Sequence, residues 1–134
     1  MQKVVPMDTN IKALVAEDDR ALADIIRIAL VRAGYQVTVA HDGMKARAYA
    51  TQSKFDVVIS DYQMPLLNGR LLLSGIRAGG ASQGALLFLC SSKSFEIDID
   101  QLRTELGLTA VFFKPFSLGE LVATIKSHQI AALA

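Results

Sequence analysis

The side chains able to do chemistry fall at four places: three consecutive acids, Glu17, Asp18 and Asp19; a lone acid, Asp61; a hydroxyl pair, Ser91 and Ser92; and Lys114 before Pro115. A carboxylate can attack phosphorus and form an acyl phosphate, provided the charge on the transferring oxygens is neutralised. Asp61 is the candidate nucleophile. A cation held by Asp18, and by Glu17 through a water, neutralises one side, and the Lys114 ammonium neutralises the other. Ser91 can donate its hydroxyl to a third phosphoryl oxygen. Two carboxylates about 4 Å apart repel by roughly 4 kcal/mol at an effective dielectric near 20, so gathering several calls for a divalent cation. Oxygen donors with no paired His or Cys favour magnesium or manganese over zinc. No His or Glu is placed as a general base beside Asp61, so such an acyl phosphate would persist, which suits a signal better than turnover.

Taken singly, each group has a plainer reading. An acid after a strand opens a turn or caps a helix, an acid run is a solvated face, Ser ends a strand, and Lys before Pro is exposed. The argument rests on their common position. Val57, Val58 and Ile59 form a β-branched run without polar alternation, as in a strand buried on both faces, and Asp61 stands at its tip. Ile11 to Ala16 is an earlier apolar run that delivers Glu17, Asp18 and Asp19. Leu86 to Cys90 delivers Ser91, and Ala110 to Phe113 delivers Lys114. In open α/β sheets the ligand crevice lies outside the carboxyl ends of the strands.

The intervening segments have helical spacing. Leu22, Ile25, Ile26, Ala29 and Ala33 precede a terminating Gly34. Tyr35 to Ala40 reads as a strand, Asp42-Gly43 as a turn, and Met44 to Gln52 as an Ala-rich helix. Asn68-Gly69 marks a turn before a helix whose inward face is Leu71, Leu72 and Ile76, with Gly79, Gly80 and Gly84 in the loop behind it. Phe95, Ile99, Leu102 and Leu106 define another helix closed by Gly107. Ser117 and Glu120 form a capping box for a last helix on Leu118, Leu121, Val122 and Ile125. Five strands alternating with five helical segments predict one α/β domain, a parallel sheet with both faces covered by right-handed crossovers.

Composition bounds the alternatives. At 134 residues the chain is the size of one domain and can bury roughly 68% of its surface. Its apolar content is 51%, yet no run of about 18 apolar residues can span a bilayer. A net charge of +1 supplies no bulk drive toward nucleic acid or anionic membrane. The first ten residues hold no apolar secretion core and read as an irregular leader, residues 11–128 as the domain, and 129–134 as a helix extension or tail. The single Cys90 excludes an internal disulfide and reads as a small buried thiol. A reducing cytoplasm is expected.

The acidic pair Glu17-Asp18, the motif Asp61-Tyr62-Gln63-Met64-Pro65 followed by Asn68-Gly69, the hydroxyl Ser91 and Lys114-Pro115-Phe116 together resemble the receiver domains of two-component response regulators. The layout is similar to single-domain chemotaxis regulators, from Ile11 to His128. The resemblance implies a flavodoxin-like, doubly wound five-stranded parallel sheet of order 2-1-3-4-5 and phosphorylation of Asp61 by a phosphohistidine. That donor would belong to a sensor histidine kinase or phosphotransfer protein. It also implies magnesium held by Asp18, Asp61 and the backbone carbonyl of Gln63, and a cis bond between Lys114 and Pro115. Asp19, one place beyond the acidic pair, is then a helix N-cap or outer charge.

Three departures from that pattern bear on behaviour. Val111 stands where the family carries a Tyr or Phe that turns inward on activation. Strand alternation sends Phe112 to the face opposite Val111 and Phe113 to the same face. Ser92 follows Ser91 where the family prefers a small residue, and Lys93 comes next; with Gln63, these are expected to tune the phosphoryl lifetime. For output, the resemblance points to the surface of the fourth helix, fifth strand and last helix, which also allows a homodimer and a downstream protein partner. Phe95, Ile97 and the Ile130-Leu133 tail either feed that surface or belong to the core. Nucleic acid contact by this domain is not expected, since no basic stripe suggests it, and a receiver cut from a hybrid kinase or larger regulator fits equally. An aspartyl phosphatase would want a second Asp where Gln63 stands. A pseudo-receiver would lack one of Glu17, Asp18, Asp61, Ser91 and Lys114, and a flavodoxin-type cofactor site would not place acids after the first strand.

Overall fold

A computed structural model describes residues 11–92 and 98–133. Five strands alternate with five helices: β1 Lys12–Ala16, α1 Arg20–Arg32, β2 Gln36–Ala40, α2 Gly43–Gln52, β3 Val57–Asp61, α3 Gly69–Ala78, β4 Leu86–Ser91, α4 Ile99–Leu106, β5 Leu108–Phe113 and α5 Leu118–Leu133. The strands form one parallel sheet in the order β2-β1-β3-β4-β5, the doubly wound, flavodoxin-like arrangement expected. Its first crossover runs from β1 outward to β2, and the chain then returns past β1 to build β3, β4 and β5. The order of winding therefore reverses at β1 and β3, which opens a crevice at their carboxyl ends.

Each face of the sheet carries its own apolar cluster. Leu14, Val58, Leu87 and Leu89 pack with Ala46 and Ala50 of α2, Leu72, Leu73 and Ile76 of α3, and Leu102 and Leu106 of α4. Ala13, Val15, Val57, Ile59, Phe88 and Cys90 pack with Ile26 and Leu30 of α1 and Leu121 and Ile125 of α5. All five residues of β3 are buried, as an unalternating β-branched run in the middle of a parallel sheet should be. The small side chains of Ala46 and Ala50 let α2 lie close on the sheet with little apolar bulk.

Capping chemistry sets the helix ends near the crevice. Asp19, Asp42, Asn68 and Asp98 are N-caps, each accepting a hydrogen bond from a backbone N–H three residues on. The α1 terminus closes with Tyr35 N–H donating to Leu30 O at 3.1 Å and Gly34 N–H to Val31 O at 3.0 Å. This paired pattern needs Gly34 at its φ of 103°. At α5, Glu120 N–H donates to the Ser117 hydroxyl at 3.2 Å.

Several expected details differ. Leu71 is 56% exposed, and Leu73 takes the inward place beside Leu72 and Ile76, because α3 begins at Gly69 and its buried stripe is set from there. Ile25 is 47% exposed on the outer side of α1. Asn68-Gly69 is the cap and first residue of α3 rather than a free turn. β5 begins two residues early, at Leu108, and a register shift against Leu87 and Phe88 absorbs the extra length. Ile130 is exposed, not core, and α5 runs without a break across position 128. Phe95 and Ile97 lie outside the described residues.

Candidate phosphoacceptor site

The tips of β1, β3, β4 and β5 bring their polar residues to one edge. Backbone hydrogen bonds extend the sheet past its last apolar residues: Tyr62 N–H donates to Cys90 O at 2.8 Å, Lys114 N–H to Ser91 O at 2.8 Å, and Glu17 N–H to Ala40 O at 3.0 Å. These contacts hold the site residues on the rigid end of the sheet rather than on free loops. Asp61, Glu17 and Ser91 are buried. The Lys114–Pro115 peptide bond is cis, as the resemblance implied.

One ammonium organises the acids. Lys114 Nζ lies 3.0 Å from Asp61 Oδ1 and 3.1 Å from Glu17 Oε1. The second Glu17 oxygen accepts from Asp19 N–H at 3.1 Å, and the Glu17 carbonyl contacts His41 Nδ1 at 3.1 Å. Ligand oxygens of Glu17, Asp18 and Asp61 all lie within 4.8 Å of one another. This is an all-oxygen donor set with one exposed member, Asp18, facing solvent, and its chemistry suits a hard divalent cation that keeps waters.

Burial and charge shift these groups in identifiable ways. Burial pushes the Glu17 carboxyl up to about 7; the Asp19 amide and Lys114 pull it down while the charge on Asp61 pushes it further up. Asp61 is also raised, chiefly by burial, against the opposing pull of Lys114. Burial disfavours the charged form of Lys114, but its bonds to Asp61 and Glu17 outweigh that and hold it above its ordinary value. Fully ionised, Glu17, Asp18 and Asp61 would carry more negative charge than the one ammonium balances. Cys90, beside Asp61 in the register, is pushed by burial up to about 12, so it is an inert packed thiol as its position in an apolar run suggested.

A cleft of about 260 Å³ opens over this edge, lined by Asp18, Asp61, Tyr62, Gln63, Ser91, Ser92 and Lys114. A second cleft of about 420 Å³ shares Asp18, Tyr62 and Gln63 with it and extends to Met64 and Asn68. Thus Asp18, Asp61, Gln63, Ser91, Ser92 and Lys114 surround one space, and Glu17 joins them through Lys114. Lys93 lies outside the described residues. Val111 packs with the cluster under α2, α3 and α4, Phe112 packs on the other face, and Phe113 sits in register with Ser91.

Two features escaped the sequence. Glu17 was placed only as a water-linked metal neighbour and no Glu was expected beside Asp61, whereas the Glu17 carboxylate lies in the same oxygen cluster as Asp61 and shares Lys114 with it directly. The backbone of the segment between β3 and α3 is also confined by two glycines. A Cβ on Gly69 would overlap the Asp61 carbonyl oxygen, and one on Gly43 the Leu67 carbonyl oxygen. The pattern Asp42-Gly43 suggested a turn, but only the packing reveals what the missing side chain makes room for.

Comparison with known proteins agrees with this geometry. The family model described as response regulator receiver domain matches residues 13–126. The chain is 31% identical over 124 residues to the transcriptional regulatory protein PrrA of Mycobacterium leprae, covering 90% of this chain and 52% of that protein. It is 28% identical over 116 residues to the transcriptional regulatory protein PcoR of Escherichia coli, covering 87% and 50%. The chain thus spans about half the length of the curated relatives it matches. Among solved structures, the Francisella response regulator 1452 receiver domain aligns with a TM-score of 0.79 at 30% identity, covering 92% of this chain and 99% of that one. With its sheet order, its acid-lined edge and this match over most of its length, the chain belongs to the response regulator receiver domain family.

Proposed function

We propose that this receiver domain accepts a phosphoryl group on Asp61 from a phosphohistidine of a sensor kinase or phosphotransfer protein, in a magnesium-dependent reaction, and signals by phosphorylation-dependent docking. The observation that carries the reading is the 3.0 Å approach of Lys114 Nζ to Asp61 Oδ1 beside the oxygen cluster of Glu17, Asp18 and Asp61. A carboxylate oxygen of Asp61 attacks phosphorus, the bond from phosphorus to the donor nitrogen breaks, and the imidazole leaves with that electron pair. Asp18, Asp61 and the Gln63 carbonyl would hold a magnesium or manganese ion, with Glu17 acting through a water, and the ion would supply charge neutralisation for the transferring oxygens. Lys114 moves its charge from the Asp61 carboxylate to a phosphoryl oxygen. Ser91 donates to another.

Gln63 and Ser92 line the approach to that group and, with Lys93, set how long it survives. Val111 carries no ring to turn inward on activation; the 2.8 Å bond from Lys114 N–H to Ser91 O ties the tips of β4 and β5 together. Docking of a downstream protein, or of a second copy, uses the face of α4, β5 and α5. The domain works in the cytoplasm; among the described residues no helix is long and apolar enough to cross a membrane.

The test mixes the chain with magnesium and acetyl phosphate and follows intact mass. A gain of one phosphoryl group that needs the metal and is absent in Asp61→Asn supports the reading. No gain with acetyl phosphate, and no magnesium-dependent spectral change with beryllofluoride, removes it.

A further inference from the structure

Gly43 has no place in the acid-lined edge, yet it bears on the wall of that edge. It is the first residue of α2, buried, with Asp42 capping the helix through a 2.7 Å bond from Lys45 N–H. A Cβ there would overlap the carbonyl oxygen of Leu67 and stand 2.6 Å from Leu67 Cβ and 2.8 Å from its carbonyl carbon. Two of these are backbone atoms, so no side-chain rotation relieves the contact. Leu67 belongs to the segment 62–68 that joins β3 to α3, and this segment has little slack. Leu67 N–H donates to Pro65 O at 2.8 Å across Leu66, whose φ is 72°, which makes a γ-turn. Gly69 N–H donates to Tyr62 O at 2.8 Å and closes the segment on itself. Its other half, Tyr62, Gln63 and Met64, forms the wall of the cleft that faces Asp18.

We infer that Gly43 is a positioning residue for cation binding: the bare α2 N-terminus lets segment 62–68 seat fully, and this keeps Gln63 on the cleft wall beside Asp18, where its carbonyl would serve a cation. A side chain at 43 pushes Leu67 away, and the closed turn passes the displacement to Gln63 rather than absorbing it. The inference rests on the reading of Asp18, Asp61 and Gln63 as the cation's ligands.

Manganese binding followed by the loss of its free-ion paramagnetic resonance signal tests it, without any phosphodonor. The wild type is compared with Gly43→Ala, and Ala50→Gly serves as a control that loosens α2 at its far end. The expected result is a dissociation constant for Gly43→Ala weaker by about tenfold or more, the usual scale for disturbing an outer support of a metal site. Ala50→Gly is expected to lower Tm while binding manganese as the wild type does. If Gly43→Ala does not fold, Leu67→Gly, which frees the same segment without adding volume, is expected to show the same loss. Wild-type affinity in Gly43→Ala, or in Leu67→Gly where that variant replaces it, with only Tm lowered, overturns the inference, since α2 would then have yielded instead of the segment. A wild type that binds no manganese overturns the ligand reading itself.

Discussion

Lys114 and Glu17, 97 positions apart in the chain, meet at 3.1 Å, and the same ammonium holds Asp61 at 3.0 Å. One partly exposed cation thus serves two buried carboxylates. Replacing it strands both. Lys114→Met is expected to lower the stability of the metal-free protein at pH 8 by about 1–3 kcal/mol, the cost of leaving buried polar groups without a partner. The loss should shrink at pH 5, where Glu17 holds a proton. Urea unfolding at the two pH values measures it, and equal losses at both would show that Glu17 does not depend on Lys114.

The raised acids give a pH dependence of definite sign. Glu17 titrates at 4.5 when unfolded and near 7 when folded, so between those values the folded state binds more protons than the unfolded chain. Stability of the metal-free protein therefore falls as pH rises from about 4.5 through 7, and Asp61, also raised, adds in the same direction. Lys114 stays protonated in both states over this window and contributes no slope. Magnesium held as proposed would bind the ionised acids, so its stabilising effect should be larger at pH 8 than at pH 5. Thermal melts with and without magnesium check both statements. A metal-free Tm that climbs between pH 5 and 8 would contradict them.

Gly69→Ala should damage both fold and site. Its Cβ would overlap the Asp61 carbonyl oxygen and stand 3.0 Å from Leu89 Cδ1, in a position where neither the β3 backbone nor the packed Leu89 can retreat freely. A cost of about 1–3 kcal/mol is expected from overpacking, together with slower phosphorylation by acetyl phosphate as Asp61 shifts. Wild-type values for both would mean that the strand tip yields easily.

Leu66 runs the other way. It is 77% exposed and has a φ of 72° at the centre of a γ-turn, a conformation that costs any residue with a Cβ. Leu66→Gly should raise stability by about 0.5–1 kcal/mol, because glycine adopts a positive φ without a Cβ penalty and little packing is lost. A drop in the urea midpoint would show that the leucine makes contacts worth more than its strain.

Much of the architecture was legible because local rules and global fold agree. The unalternating run Val57 to Ile59 marks a doubly buried strand, and in a parallel sheet every residue that follows such a run emerges at the same edge. Asp18, Asp61, Ser91 and Lys114 could therefore be grouped from their places after strands. Asp19, read as a helix cap, follows from the same local chemistry, since a carboxylate before a helix finds unpaired N–H groups within three residues. Harder to read were positions where two elements compete for one residue. Leu71 and Leu73 are equally apolar, and only the start of α3 at Gly69 decides which turns inward.

By itself, then, the order of residues determined the strand and helix sequence, the single α/β domain and the shared edge of the chemical groups, since periodicity and chain direction need no distant partner. Only the tertiary structure decided that Glu17 shares Lys114 with Asp61, and that the blank side of Gly43 faces Leu67. Those are contacts between side chains and backbone brought together by packing, and a pattern read along one chain has no coordinate for them.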